Sequence, residues 1–159
     1  VQYGFLGSYN EEYGISPFER YFLGGSGLGQ FNFYGYEYVG LRGYQDNSIG
    51  PRPVGGTFQN QAIGGNILNK YTLELRYPIS LNQTAPIWVL GFAAAGNTWL
   101  GFENFKPFEL NRAAGGGARV MLPMVGLLGI DWGYGFDKIH PTATDVAGSN
   151  FTFLIGREF

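Results

Sequence analysis

The sequence contains no cysteine, a single histidine and few charged residues, and these shortages exclude several classes of protein. Without cysteine there is neither a disulfide framework nor a thiolate metal site. Charged residues make up 14% of the 159 residues, against about 25% in an average soluble domain. The formal net charge of −2 gives no case for nucleic-acid binding. The longest apolar run, from Ala85 to Gly96, is too short for a membrane-spanning helix of about 20 residues.

Aromatic residues and glycine are abundant instead. Aromatics account for 18% of the chain and glycine for 27 positions, whereas average glycine usage is roughly 7%. Disordered chains combine high charge with few aromatics, so this composition predicts an ordered chain. No signal peptide is recognisable and Val1 begins inside a strand-like run. We therefore expect a mature or truncated chain that forms one domain or a piece of one.

Apolar residues alternate with polar or small ones along much of the chain. Tyr71, Leu73 and Leu75 alternate with Thr72 and Glu74. Further on, Trp132 and Tyr134 alternate with Asp131 and glycines, and Phe151 and Phe153 lie on either side of Thr152. Successive side chains of a strand point to opposite faces, so each segment has one apolar face and one polar or small face. The alternation predicts strands over residues 1–9, 65–79, 86–99, 111–122, 126–137 and 149–159.

The composition of the two faces favours a membrane barrel over a soluble sandwich. The apolar faces are crowded with Tyr, Trp and Phe, which is typical of the interfacial girdles of a transmembrane barrel. The opposite faces mix charges with glycine, as in a barrel lumen. A soluble sandwich also alternates, so this alternative stays open on the pattern alone. We predict an all-β, antiparallel up-and-down transmembrane β-barrel.

The predicted strands are too few to form that barrel alone. The smallest membrane barrels have about eight strands, and open strand edges are not tolerated in lipid because their backbone groups lack water to bond. The chain is therefore either a portion of a larger barrel or pairs its edges with other copies. In isolation we expect it to self-associate through these edges.

A long segment, residues 10–63, separates the first predicted strand from the next. Loops of this length are usually functional or disordered, and the many aromatics argue against disorder. Within it, the stretch VGLRGYQDNSIGP from Val39 to Pro51 places Arg42 among glycines. An arginine in a glycine-rich loop of a charge-poor chain suggests a specific partner.

No enzymatic constellation is visible. His140 is the only histidine, precedes Pro141 in a polar connector and has no second ligand nearby. The serines lack a His/Asp arrangement for nucleophilic catalysis. We expect the protein not to be an enzyme, and to need no cofactor or metal.

Five motifs occur in order and together span nearly the whole chain. They are LRGYQDNSIGP from Leu41, IGGNILNKYTLELRYPI from Ile63, GFAAAGNTW from Gly91, GGGARVMLPMVGLLGIDWGYGFD from Gly115, and FTFLIGREF from Phe151. In these motifs the chain resembles the C-terminal part of the barrel of the BamA family, the outer-membrane β-barrel assembly factors.

The resemblance implies a barrel of about sixteen strands, of which residues 1–159 supply about the last six. Residues 10–63 would form a long signature loop directed into the lumen, and residues 64–159 the last five strands. The resemblance implies a location in the outer membrane of a Gram-negative bacterium. It also implies a function in inserting other β-barrels through a lateral seam. The implied partners are unfolded outer-membrane protein clients, accessory assembly lipoproteins and outer-membrane lipid, with no nucleic acid. A related translocation or secretion transporter and a passive outer-membrane pore are the alternatives.

The resemblance also implies how the signature loop is anchored. Leu41, Arg42, Gly43 and Tyr44 form the anchoring motif, and Glu74 on the following strand is the expected partner of the arginine. Some family members carry a second acid where this sequence has Ala94, so we expect a thinner anchor than the family pattern.

Two further sets of residues follow from the strands themselves and from the closing motif. Arg119 and Asp131 face the lumen on adjacent predicted strands and are expected to pair as reinforcement of the wall. The closing strand resembles the family's own assembly signal, with candidate residues Phe153, Ile155, Gly156 and Phe159. Arg157 departs from the apolar residue usual at its position and weakens that signal.

Overall fold

The structure is a computed structural model that describes residues 1–7, 15, 19–26, 36–52, 62–82, 85–123, 126–139 and 146–155. These residues contain no α-helix, only short 3-10 segments such as Phe102–Asn104. Nowhere in this part of the chain is there a helix long and apolar enough to cross a membrane. The strands are β1 (Gln2–Phe5), β2 (Tyr21–Leu23), β3 (Glu37–Val39), β4 (Ile67–Ser80), β5 (Ile87–Trp99), β6 (Asn111–Leu122), β7 (Gly126–Lys138) and β8 (Val146–Ile155).

Six of these strands form one antiparallel sheet in the order β1-β4-β5-β6-β7-β8. Each strand pairs with its neighbour in this order, and β4 to β8 follow one another along the chain as a meander. The six strands predicted from the alternation are all present. The predicted ends at residues 8–9 and 156–159 lie outside the described residues.

The last strand begins at Val146, whereas the alternation predicts a start at residue 149. Its pairing with β7 shifts register between Gly135 and Lys138, so Val146 pairs with Lys138 beyond the irregularity. Gly148 has a positive φ of 72° within this stretch, a conformation that glycine adopts without steric cost. The irregular backbone interrupts the period-two pattern, so the alternation does not predict the first residues of β8.

The apolar face of the sheet is exposed, and the face assignment made from the alternation is confirmed. Leu73 is 67% exposed, Phe153 65% and Trp132 44%. Tyr71 and Tyr134 are on the same side and are also exposed. These side chains do not form a core between two sheets. We call this side the outer face and the opposite side the inner face.

The hydrophobic core lies between the inner face and the segment that contains the LRGY motif. Leu41, Ile49 and Leu23 are fully buried there, and they pack with Leu68 of β4 and Ala113 of β6. The described parts of the long segment around Leu23 and over residues 36–52 are therefore held on the inner face of the sheet by apolar burial, which is the dominant favourable contribution to packing.

Two short strands within the long segment were not predicted. β2 and β3 pair in parallel, with Phe22 opposite Tyr38, and isolated bridges join Leu23 to Ile49 and Gly25 to Leu41. Each strand has only three residues, too few for a recognisable period of two. Their pairing depends on contacts between parts of the loop that are distant in sequence.

The sheet is open at two edges in the described part of the chain. β1 pairs only with β4, and β8 pairs only with β7. The free sides of β1 and β8 carry backbone N–H and C=O groups that another strand can bind. The six strands thus form a sheet that does not close on itself.

Candidate functional site

Arg42 is buried on the inner face, at 3% exposure, and is bound by two carboxylates. Its Nη2 donates to Oε2 of Glu74 at 2.8 Å, and its Nη1 donates to Oδ2 of Asp131 at 3.1 Å. The guanidinium also lies over the ring of Phe92, 3.8 Å from its centroid. Hydrogen bonds to charged groups and cation–π contacts are both strengthened by removal from water.

Strand alternation and pairing bring these partners together from three strands. Glu74 on β4 is directly opposite Phe92 on β5, so both side chains point to the inner face. Asp131 on β7 is opposite Gly117 of β6. A Cβ at Gly117 would overlap the carboxylate of Asp131, and one at Gly115 would lie 2.8 Å from Cζ of Phe92. Glycine on β6 therefore leaves the space in which the side chains of β5 and β7 meet Arg42.

Asp131 is fully buried and joins two arginines. It accepts from Nη1 of Arg119 at 2.6 Å and from Nη2 of the same residue at 2.8 Å, in addition to the bond from Arg42. The expectation of a thinner anchor is wrong, because Asp131 supplies the second carboxylate that Ala94 cannot. Asp131 also does more than reinforce the wall with Arg119. Its position on the inner face was visible in the alternation, but its distance from the loop was not.

The backbone of the loop tip lies directly on the strands beneath it. Gly43 has a φ of 90°, and a Cβ there would be 3.0 Å from Cβ of Ala113 and 3.1 Å from the nitrogen of Gly135. A Cβ at Gly133 would be 2.7 Å from the nitrogen of Gly43. Nδ2 of Asn150 on β8 donates to the carbonyl of Gly43 at 2.9 Å. Neither Asn150 nor Phe92 was predicted from the sequence as a partner of the loop.

Tyr44 anchors the tip through its hydroxyl group and is 1% exposed. The hydroxyl donates to the carbonyl of Arg112 at 2.8 Å, and the backbone N–H of Asp137 donates to the hydroxyl at 3.3 Å. Burial raises the pKa of the Tyr44 phenol to about 12, since the charged phenolate loses solvation. Tyr44 is therefore neutral, and its hydroxyl is a donor, at any physiological pH.

The raised pKa of Tyr44 makes a testable difference at high pH. Since the pKa in the fold is above the ordinary value of 10.0, the neutral phenol stabilises the fold fully below about pH 10, and this contribution is lost as the pH rises through about 12. Tyrosine absorbance can be titrated with pH in the wild type and in Tyr44→Phe. The wild-type curve minus the variant curve should show one group titrating near pH 12. A difference curve centred near pH 10 would contradict the buried position of this phenol.

The closing-strand residues are only partly described. Phe153 and Ile155 are exposed on the outer face, at 65% and 67%. Gly156, Phe159 and Arg157 lie outside the described residues, as does His140. Among the residues that are described, no group of three or more His, Cys, Asp or Glu side chains is placed to hold a metal ion.

Comparison with known proteins gives a family. No curated protein sequence matches the chain at a significant level. The Omp85 superfamily domain matches residues 1–159, and the members of this superfamily are outer-membrane β-barrel proteins that act in protein insertion or transport. The antiparallel sheet with its exposed apolar outer face fits that architecture. The chain belongs to the Omp85 superfamily.

Proposed function

We propose that the chain is the C-terminal part of the barrel of a BamA-type assembly factor, which inserts other β-barrels into the outer membrane of a Gram-negative bacterium. The observation that carries the proposal is the buried guanidinium of Arg42 held between Glu74 and Asp131. A simple pore could be narrowed by a loop without such an anchor. A loop bound by paired, buried charges is held in one position, because lifting it would separate the buried guanidinium of Arg42 from both of its carboxylates.

The anchored loop links the interior of the barrel to its last strand. Arg42 binds β4 and β7, while Gly43 accepts a hydrogen bond from Asn150 on β8. Within the described residues, the side of β8 away from β7 pairs with no other strand, so its backbone groups can template an incoming strand by β-augmentation. In this mechanism the loop holds β8 in place while the free edge of β8 pairs with a client strand. No nucleotide or metal takes part.

The partners in this proposal are unfolded outer-membrane proteins, accessory assembly lipoproteins and the lipid around the barrel. Client strands would bind the edge of β8 through main-chain hydrogen bonds, which are independent of side-chain identity. Such binding suits a factor that accepts many clients. The protein would act as a folding catalyst without being an enzyme of covalent chemistry.

A double-mutant cycle on Arg42 and Glu74 tests the proposal in the full-length protein. We expect Arg42→Lys and Glu74→Gln each to slow client assembly in proteoliposomes, because lysine lacks the planar fork that reaches both carboxylates. The double variant should be slowed by less than the product of the two single effects, with a coupling of about 1–3 kcal/mol.

The exposed pair Lys106–Glu109 provides the control for this cycle. Its side chains are 66% and 64% exposed, so Lys106→Gln and Glu109→Gln should leave the assembly rate unchanged. Additive effects of Arg42→Lys and Glu74→Gln would show that the two residues do not act as a pair. Client assembly no faster with the folded wild type than in protein-free liposomes would reject an assembly function and favour a transporter or a pore.

Self-association of the isolated chain is a second expectation of the proposal. The free edges of β1 and β8 should pair between copies in detergent, because unpaired strand edges are templates for further pairing. Multi-angle light scattering should therefore give a mass larger than the 17.5 kDa of one chain. A monodisperse monomer whose edge amides exchange rapidly with solvent would contradict edge pairing.

A further inference from the structure

The outer face contains a trough of small residues between two rows of large ones. Across the sheet, Leu73 is opposite Ala93, Ala93 is opposite Ala114, and Ala114 is opposite Tyr134. Two residues further along the strands, on the same face, Gly91 is opposite Gly116. Larger residues again flank this pair on β4 and β7. The floor is thus two strands wide, about 10 Å at the usual strand spacing.

The end of this trough nearest Arg112 and Phe136 is an apolar cavity of about 720 Å³. Its walls include Tyr71 and Leu73 from β4 and Phe136 from β7, and its floor includes Ala93 and Ala114. Arg112 lies at this end of the trough, where the chain enters β6. A cavity of this size and composition can hold an apolar chain.

A second cavity of about 690 Å³ adjoins it at the end of the sheet, between residues 50–52 of the long segment and the ends of β5, β6 and β7, and five of its lining residues are charged. Ala95 and Arg112 line both cavities, so the two are neighbours. The second cavity also contains Arg52 and Lys138, and its cationic side chains outnumber its acidic ones, Glu109 and Asp137.

Arg112 is placed to bind a ligand in addition to its ion pair. Its Nε and Nη2 donate to Asp137 at 3.1 and 2.8 Å, while its Nη1 makes no hydrogen bond within the described part of the chain. The side chain is 68% exposed. Arginine suits this position because a guanidinium can bind a carboxylate with one edge and a phosphate oxygen with another.

We propose that the two cavities form a binding site for one phosphorylated membrane lipid. An acyl chain lies in the trough between β4 and β7, and the phosphate lies at Arg112 and Lys138. The apolar cavity and the cationic cavity match the two parts of such a lipid. A second copy of the chain does not fit the trough, because the flat, bulky face of another sheet would rest on the flanking rows and leave the floor of Ala93 and Ala114 empty.

Lipid titration of the full-length protein in detergent, followed by native mass spectrometry, tests this site. The probes are phosphatidylglycerol, a diacylglycerol with the same acyl chains, and glycerol 3-phosphate. We expect one phosphatidylglycerol to bind about tenfold more tightly than diacylglycerol, as hydrogen bonds to a charged group provide. Glycerol 3-phosphate should not bind, because it lacks the chain that fills the trough.

Variants separate the two halves of the site. Ala93→Leu with Ala114→Leu should weaken both lipids, because leucine fills the trough. Arg112→Gln should weaken phosphatidylglycerol about tenfold and leave diacylglycerol unchanged. Lys138→Gln should act in the same direction without disturbing the Arg112–Asp137 pair. Ile79→Phe, which adds bulk near the other end of β4 at an exposed position that lines neither cavity, is the control and should change neither lipid.

Three results would overturn the proposal. Equal binding of both lipids in every folded variant would mean ordinary lipid contact without a site. Binding of glycerol 3-phosphate as tight as that of phosphatidylglycerol would mean a site for free phosphate. A dimer that dissociates in the Ala93→Leu, Ala114→Leu variant would make a second copy the occupant. The readout is independent of client assembly, so the proposed function and this site can fail separately.

Discussion

Replacing Asp131 by asparagine is expected to destabilise the folded protein by about 3–5 kcal/mol, the cost of breaking a buried ion pair. Asp131 is fully buried and binds both Arg42 and Arg119. Asparagine keeps the volume but removes the negative charge, which leaves the buried guanidinium of Arg119 without its carboxylate partner and leaves Arg42 with Glu74 alone. The effect is measured as the free energy of unfolding in urea, with the barrel refolded in lipid.

Glu74→Gln is the matched comparison for this prediction. Arg42 keeps Asp131 in that variant, and Glu74 is 15% exposed, so water can compensate in part. We expect a loss of about 1–3 kcal/mol. Glu109→Gln, in an exposed pair, should change stability by less than about 1 kcal/mol. If Asp131→Asn destabilises no more than Glu109→Gln, Asp131 does not hold the two arginines in the folded barrel.

The second large effect is expected from Gly43→Ala. The φ of 90° at this position is costly for any residue with a Cβ, by about 1–3 kcal/mol. The added methyl group would also press on Ala113 and on the backbone of Gly135. The strand cannot retreat without breaking its pairing, so the loop tip must lift from the inner face.

Lifting of the tip can be measured as a distance. The chain has no cysteine, so spin labels at Gln45→Cys and Lys138→Cys report the position of the tip relative to β7. Gly43→Ala should lengthen and broaden the distance distribution. Gly91→Ala is the control, since a Cβ there meets only the carbonyl oxygen of Gly115 at 3.9 Å. An unchanged distribution in Gly43→Ala would show that the tip tolerates a Cβ and is not seated by close contact.

The sequence by itself determined the six strands of the sheet and the face on which their side chains lie. Both depend on the direction of successive side chains along one strand, which is a local property. The alternation placed Leu73, Trp132 and Phe153 on the outer face, and it placed Glu74 and Asp131 on the inner one. The same locality explains the errors: where the backbone is irregular near Gly148, or where β2 and β3 are only three residues long, the period of two disappears.

The pairing of Arg42 with Glu74 was expected from a family motif, because the alternation carries no information on where a distant loop lies. Only the tertiary structure showed that Asp131 is the second partner of Arg42, that Phe92 lies beneath the guanidinium, and that Asn150 holds Gly43. These contacts join residues that lie on β5, β7 and β8 to one loop. They depend on sheet register and on the space left by glycine in β6, and both are set by the packing of strands that are far apart in sequence.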